Sequence, residues 1–307
     1  MSRWSPLPRR ADIERCSSMG PVGFVGVGAM GSAIASRLVA SSDLRVTDRN
    51  PAAADELVAA GARFTTAEDI AASCTVVFLS LPGPTDVTGL LLGEAGLAEL
   101  LQPGSVVIDT TTSVPTADAE IVKALSPRGI DFVDAPIGGG VRRAREGTAT
   151  LMVGASPEAY AKVKDLLLAV TQSVSHVGPV GSGHTMKVIN NLLNSCNRFA
   201  ALEAIRLGQR AGLEQDVIVD VLNRSTGRNY TTEYTFPNLL AGDTYLPQGF
   251  ALALMLKDIG LASTMAAELG HRLPIGELVE KLTAEAVERF GPDADQSQLM
   301  AEWYEKQ

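Results

Sequence analysis

Apolar residues follow two different patterns along this chain. From Gly20 to about Gly178 they gather in short β-rich runs: "PVGFVGVG", "LRVTD", "TVVFLSLP", "SVVIDT" and "IDFVDAP". Compact runs of this kind suit strands buried in a parallel sheet. Helical stretches stand between them, among them "GSAIASRLVAS", "PAAADELVAAG" and "TADAEIVKAL". Pro51 and Pro115 sit where a first helical turn tolerates proline, because the N–H lost there has no intrahelical acceptor. Strand and helix alternating in this way predict a doubly wound α/β domain. "TATLMVGA", the helix "PEAYAKVKDLLLAV" and "SVSHVGP" are expected to extend the same sheet.

The strand pattern stops at "GPVGSG", residues 178–183. A helical pattern then runs from His184 to Ala211 and ends at Gly212, a residue type suited to a C-cap. At 1.5 Å per residue this helix measures about 42 Å. Further helices are expected near 214–222, 250–269, 274–290 and 295–305, separated by turns containing Gly and Pro. The chain therefore reads as an α/β domain at 20–182 and an all-α domain at 183–307, linked by a long interdomain helix. Residues 1–19 are polar and basic, without the apolar stretch of a signal peptide, and are expected to be a disordered extension. Met19, directly before the first strand, is a second candidate start.

Composition narrows the function. With 46% hydrophobic and 20% charged residues, the chain of 307 residues has the makeup of an ordinary soluble globular protein. No apolar run reaches the length of a membrane span. A net charge of −9 argues against a broad grip on nucleic acid or anionic lipid. A small anionic ligand in a locally positive pocket stays open. Cys16, Cys74 and Cys196 are widely spaced, as are His176, His184 and His271, so no metal site is expected. The thiols read as those of a cytoplasmic protein.

"GFVGVGAMGSAIA" carries Gly26, Gly28 and Gly31 in the spacing G-x-G-x-x-G, directly after a strand and opening a helix. That context makes it a Rossmann-type dinucleotide turn. Gly26 permits the tight turn, Gly28 lets a pyrophosphate approach, and Gly31 lets helix pack closely on strand. Ala29 and Met30 complete the turn, and the positive end of the helix faces the phosphates. Twenty-two residues after Gly26, Asp48 is placed to accept hydrogen bonds from a ribose, which favours NAD; Arg49 beside it is the residue that would accommodate NADP.

One helix position departs from its apolar surroundings. In "GHTMKVINNLLNS", Lys187 stands among Met186, Val188, Ile189, Leu192 and Leu193 near the domain junction, where small-molecule sites are common. A lysine among apolar side chains is costly unless it is paired or its pKa falls. Asn191, one turn later, shares its face, while Asn190 points about 100° away.

Four motifs now stand in order: "GFVGVGAMG", "DTTTSVP" at 109–115, "DAPIGGGVRRAREGTATLMVGA" at 134–155 and "GHTMKVINN" at 183–191, with "LMLKDIGLA" at 254–262 as a fifth. Together they resemble the β-hydroxyacid dehydrogenase family, which includes 3-hydroxyisobutyrate dehydrogenase and tartronate semialdehyde reductase. The resemblance covers nearly everything from Val22 to the C-terminal helices. It implies an NAD-dependent oxidoreductase that moves a hydride between nicotinamide and a small β-hydroxy acid or its semialdehyde, acting as a homodimer or homotetramer. It makes Lys187 the catalytic lysine, which takes or supplies the hydroxyl proton, and Asn191 a substrate-binding group. It places Thr112 beside nicotinamide and substrate, Leu81 and Pro82 at the cofactor, and Lys257 with Asp258 at a late dinucleotide contact or, equally, as an ordinary surface charge pair.

The chain departs from the family pattern at Gly138, where a serine that helps bind the substrate carboxylate is usual. Gly138, Gly139 and Gly140 could still form a backbone anion nest, and loss of the hydroxyl would leave room for a larger head group. A glycine there also occurs in the related 3-sulfolactaldehyde reductases, so a sulfonate substrate is the alternative. Arg142, Arg143 and Arg145 read as a solvated basic loop. A non-catalytic nucleotide-binding redox sensor is the second alternative; a methyltransferase would share the glycine turn but leave the lysine helix unexplained.

Overall fold

The computed structural model describes residues 20–94, 96–241 and 244–302. The expected disordered extension at 1–19 lies outside them, as do the last residues of the helix expected at 295–305. The chain divides after Lys187 into two compact units.

The first unit is built on β1 (Val22–Val25), β2 (Leu44–Thr47), β3 (Arg63–Phe64), β4 (Val76–Leu79), β5 (Val106–Asp109) and β6 (Asp131–Asp134). These are joined edge to edge in the order β3-β2-β1-β4-β5-β6, all parallel. Every residue of β1, β4 and β5 is buried, which explains why these strands read as continuous apolar runs instead of alternating ones. The sheet continues through β7 (Ile137–Gly138), β8 (Thr150–Gly154) and β9 (Ser173–Gly178). β8 runs antiparallel to β6 and β7 and parallel to β9. The expected extension of the sheet is therefore present, with one reversal of direction that the apolar pattern cannot encode.

Helices cover both faces, which divides the core in two. One cluster packs Phe24, Ile34, Leu38 and Phe78 with Leu166 and Leu167; the other packs Ile70, Leu79, Leu91, Ile121 and Leu125. Phe24 and Phe78, neighbours across β1 and β4, stack with ring centroids 5.5 Å apart. The helices are α1 (Ala29–Ala35), α2 (Asp55–Ala59), α3 (Ala67–Ser73), α4 (Pro84–Leu92), α5 (Pro115–Leu125), α6 (Gly140–Glu146) and α7 (Pro157–Val170). Pro115 opens α5, and Pro51 opens a short 3-10 turn before α2. α6 corrects the solvated loop expected at Arg142–Arg145. Arg142 pairs with Glu146 one turn on, Arg145 with Glu56, and Arg143 donates to Thr148 O, so the arginines decorate a short helix.

The helix α8 (Ser182–Arg210) begins in the first unit and continues into the second. The second unit adds α9 (Gln215–Asn223), α10 (Phe236–Leu239), α11 (Leu252–Glu268), α12 (Pro274–Phe290) and α13 (Ser297–Glu302). Its core gathers Phe199, Leu202 and Ile205 with Met255, Ile259, Val279 and Ala286. Two features escape the helical periodicity: a π-helical turn at Thr231–Thr235 and a two-strand hairpin, Leu240–Ala241 with Thr244–Tyr245. No helix of the described residues is long and apolar enough to cross a membrane.

Candidate active site

The order of strands reverses at β1 and β4, and the loops that leave their carboxyl ends abut. Gly26 adopts φ +87°, and a Cβ there would stand 2.3 Å from Ser80 O. A Cβ at Gly31 would stand 1.9 Å from Gly26 O, so α1 can approach its strand only without a side chain. Gly28 differs: a Cβ there would meet nothing within 4 Å. The three glycines thus divide into two that close the turn and one that faces open space. Ala29 is exposed beside it and Met30 packs against the core. Asp48 ties the turn down: its Oδ2 accepts from Val27 N at 2.8 Å and its Oδ1 from Asn50 N at 2.9 Å. Each oxygen keeps a second lone pair for a ribose hydroxyl. Arg49 is exposed next to it.

The loop after β4 is fixed by the segment after β5. Thr110 Oγ1 donates to Leu79 O at 2.7 Å, and Thr111 Oγ1 accepts from Leu81 N at 3.1 Å. Both threonines are buried, whereas Thr112 is half-buried and Pro82 exposed. Within "DTTT" the first three residues are thus structural, and Thr112 is the candidate contact position.

Lys187 Nζ donates to Ile137 O at 2.8 Å, which brings the lysine to the strand that leads into Gly138, Gly139 and Gly140. Two expectations change here. Lys187 is half-buried, and Met186 and Ile189, two of the apolar residues it stands among, are 38% and 45% exposed. Only Val188 faces the core fully. The room expected at Gly138 is also partly filled: an added Cβ would stand 3.1 Å from Met152 Cε. Gly139 and Gly140 take φ +121° and +78°, so the chain turns into α6 in a conformation that side chains other than glycine rarely adopt.

Beneath the start of α8 lies a buried charged cluster that the sequence reading missed. Asp134, at the end of β6, accepts from Gly181 N and His184 N, both at 2.8 Å, and so caps the helix. The imidazole of His184 lies with Nδ1 2.8 Å from both oxygens of Asp118 and Nε2 3.9 Å from Asp109 Oδ2. Burial opposes a charge on the ring, but Asp118, Asp109 and Asp134 outweigh it and raise its pKa to about 9. Burial raises the Asp134 carboxyl to about 6 against the pull of His184 and the two backbone N–H groups. Burial likewise pushes Asp109 up. The available signal was a single aspartate at the end of each strand, in "VVIDT" and "FVDAP"; their convergence on a histidine far along the chain was not visible.

In the second unit, Asn191 Nδ2 donates to Asp258 Oδ2 at 2.7 Å, and Asn191 Oδ1 accepts from Asn190 Nδ2 at 3.1 Å. Asn190, expected to be secondary, therefore orients Asn191. Lys257 Nζ lies 3.1 Å from Asp258 Oδ1, an ion pair without hydrogen-bond geometry. Asp258 is only 5% exposed, so the Lys-Asp motif is not an ordinary surface pair; its aspartate anchors Asn191.

Residues 21–178 match the family model of the NAD binding domain of 6-phosphogluconate dehydrogenase. Residues 181–303 match that described as NAD-binding of NADP-dependent 3-hydroxyisobutyrate dehydrogenase. The chain is 37% identical to an NAD-dependent L-serine dehydrogenase of Pseudomonas aeruginosa, covering 86% of this chain and 91% of that protein. It is 33% identical to 2-(hydroxymethyl)glutarate dehydrogenase of Eubacterium barkeri, over 85% and 87% of the two chains. Among solved structures, Mycobacterium tuberculosis 3-hydroxyisobutyrate dehydrogenase with L-serine superposes with a TM-score of 0.84 at 27% identity, over 93% of this chain and 99% of that one. Glycine turn, lysine helix and whole-chain similarity agree: the chain belongs to the β-hydroxyacid dehydrogenase family, NAD(P)-dependent oxidoreductases that act on CH–OH groups.

Proposed function

We propose that this chain interconverts a small β-hydroxy acid and its semialdehyde, with Lys187 as general acid and base. The observation that carries the reading is the hydrogen bond from Lys187 Nζ to Ile137 O, which holds the amine beside the triple glycine. The relatives' names share a chemistry: L-serine, 3-hydroxyisobutyrate and 2-(hydroxymethyl)glutarate all carry a CH2OH group on the carbon that bears a carboxylate. A 2-substituted 3-hydroxypropanoate is the substrate class this supports.

The first unit fits a dinucleotide, because Gly28 offers bare backbone facing open space and Gly26 makes the turn. Gly26, Gly28, Ala29, Met30 and Gly31 would cradle its phosphates, Asp48 and Arg49 would meet the adenosine ribose, and Leu81, Pro82 and Thr112 would lie toward the nicotinamide, with Lys257 as a late contact. Asp48 favours NAD over NADP. When bound, the dinucleotide accepts or supplies the hydride. In oxidation the neutral amine of Lys187 takes the hydroxyl proton; in reduction its ammonium returns a proton to the carbonyl oxygen. Asn191, oriented by Asp258 and Asn190, hydrogen-bonds the substrate, and backbone N–H groups of Gly138–Gly140 receive its carboxylate. Met152 Cε, 3.1 Å from where a Cβ at Gly138 would stand, partly fills the room left by the missing side chain. Leu193 and Leu207, 59% and 73% exposed, support burial against a second copy in a homodimer or homotetramer.

The test follows NADH formation with L-serine, 3-hydroxyisobutyrate and 2-(hydroxymethyl)glutarate, and NADH oxidation with methylmalonate semialdehyde, tartronate semialdehyde and 3-sulfolactaldehyde. Turnover of a carboxylate substrate is the expected result. Preference for 3-sulfolactaldehyde would move the assignment to the sulfonate, and NADH binding without any turnover would favour the redox sensor.

A further inference from the structure

His184 lies three residues before Lys187 and, with Asp109, Asp118 and Asp134, is 0–1% exposed. We propose that His184 is the positioning residue of the lysine helix: an imidazolium held by Asp118 and facing Asp109, which fixes the first turn of α8 on the carboxyl ends of β5 and β6 and so sets where Lys187 exchanges its proton. The proposal rests on the proton-transfer reading of Lys187.

The protonation follows from the partners. Asp118 approaches Nδ1 with both oxygens at 2.8 Å, and a carboxylate only accepts, so Nδ1 carries a proton. Nε2 faces Asp109 Oδ2 at 3.9 Å, too long for a hydrogen bond, and neither atom has a hydrogen-bond partner among the described residues. At 3.9 Å Asp109 is too far to donate to the ring, so a neutral ring would turn an unmatched lone pair toward a carboxyl oxygen, which is unfavourable in a medium that screens poorly. A protonated ring turns the same contact into an attraction. Asp134 adds a third negative group, held by the N–H groups of Gly181 and His184. One cation thus lies among three carboxyl groups from α5, β5 and β6, and its charge opposes the burial that pushes Asp109 and Asp134 toward their neutral forms.

The cluster resembles a metal site only in composition. Asp109, Asp118 and His184 offer ligand atoms within 4.8 Å of one another, but Nδ1 is already closed by Asp118. Among the described residues that leaves Nε2 and Asp109 Oδ2, short of the three or four ligands of a protein metal centre.

Backbone geometry shows that the site is built. A Cβ at Gly154 would fall 2.3 Å from Asp134 Oδ1, and one at Gly183 would fall 2.7 Å from Asp134 Oδ2, so both positions are bare where the carboxylate must reach α8. The contacts also lead onward. Asp109 Oδ1 accepts from Thr111 N, and Thr111 Oγ1 accepts from Leu81 N. His184 therefore ends a chain that starts in the loop assigned to the nicotinamide side and finishes one turn below Lys187.

Two measurements test this. Ring 15N spectra of the full chain with NADH, in which His184 is one of three histidines, should show both His184 ring nitrogens protonated at pH 7.5. A neutral single tautomer overturns the proposal, whether or not any variant folds. In steady state, His184→Gln and Asp118→Asn should each lower kcat at least ~10-fold, with the NADH Kd within about two-fold of wild type. The double variant His184→Gln/Asp118→Asn, which can restore a neutral hydrogen bond but not the charge, should recover nothing. Recovery in the double variant, or wild-type kcat in folded His184→Gln, overturns the proposal. Lys187→Ala separates the two readings: if it turns over normally, the lysine role falls and this inference with it. If Lys187→Ala is inactive while His184→Gln is not, this inference alone falls.

Discussion

Gly31 and Gly28, two glycines of the dinucleotide turn, should respond to the same methyl group in opposite ways. In Gly31→Ala the new Cβ would stand 1.9 Å from Gly26 O and 3.2 Å from Phe24 Cε1. Real side chains do not approach closer than about 3 Å, so either α1 or the turn must move by roughly 1 Å in a close-packed core. Overpacking of this kind costs ~1–3 kcal/mol. For a unit of this size that is a fall in Tm of about 2–12 °C. In Gly28→Ala the methyl enters open space at φ −60°, a conformation alanine adopts freely, so stability should stay within ~0.5 kcal/mol of wild type. The same methyl occupies the approach assigned to the pyrophosphate, and NADH affinity should fall at least ~10-fold, about 1.4 kcal/mol. Thermal unfolding without ligand and fluorescence titration with NADH separate the two effects. If Gly28→Ala binds NADH as tightly as wild type, the phosphate does not approach there. If Gly28→Ala also loses several degrees of Tm, the turn is closed at a position described as open.

Asp258, His184 and Gly138 each give a further expected outcome. Asp258→Ala removes the acceptor that orients Asn191 and should lower kcat/KM for the hydroxy acid about 10-fold, ~1.4 kcal/mol; an unchanged kcat/KM would show that Asn191 does not need its anchor. His184 has its pKa raised from 6.5 to about 9, so its stabilising effect is complete below pH 6.5 and is lost as pH rises through 9. Urea unfolding of wild type should lose up to about 3 kcal/mol between pH 6.5 and 9.5, and His184→Gln should lose far less over that window. An equal loss in both would place the titration elsewhere. Gly138→Ser pushes only on the flexible end of Met152, so it should cost less than ~1 kcal/mol in thermal unfolding; a larger loss would mean that Met152 cannot yield.

Much of this organisation is legible in the chain, for identifiable reasons. "GFVGVG" and "TVVFLS" are buried on both faces, and runs of that composition have few other places to go in a protein of this size. The long helix read at His184–Ala211 runs Ser182–Arg210, because one periodicity continues through it without interruption. Short or two-residue elements were not legible. β3 and β7 are too brief to show a period, and α6 follows three glycines and carries mainly arginines, so it resembled a loop. Exposure was misjudged along α8, where Met186, Ile189 and Leu193 look like core but are exposed in the single chain. The buried cluster was hidden for a different reason. Asp109, Asp118, Asp134 and His184 come from four separated elements, and only the sheet order brings them together. Local pattern reveals what repeats along the chain; it does not reveal which lone polar residue meets which.

In the proposed reaction Lys187 moves the substrate proton. The most direct measurement is turnover of the best hydroxy acid by wild type and Lys187→Ala, with and without added ethylamine. General acid–base groups contribute roughly 10²–10⁴-fold, so Lys187→Ala should lose at least ~100-fold in kcat while binding NADH normally. Ethylamine should restore part of the rate in proportion to its free-base concentration. Near-wild-type turnover in Lys187→Ala, or a lost rate that no amine restores at any pH, would mean that Lys187 does not carry the proton.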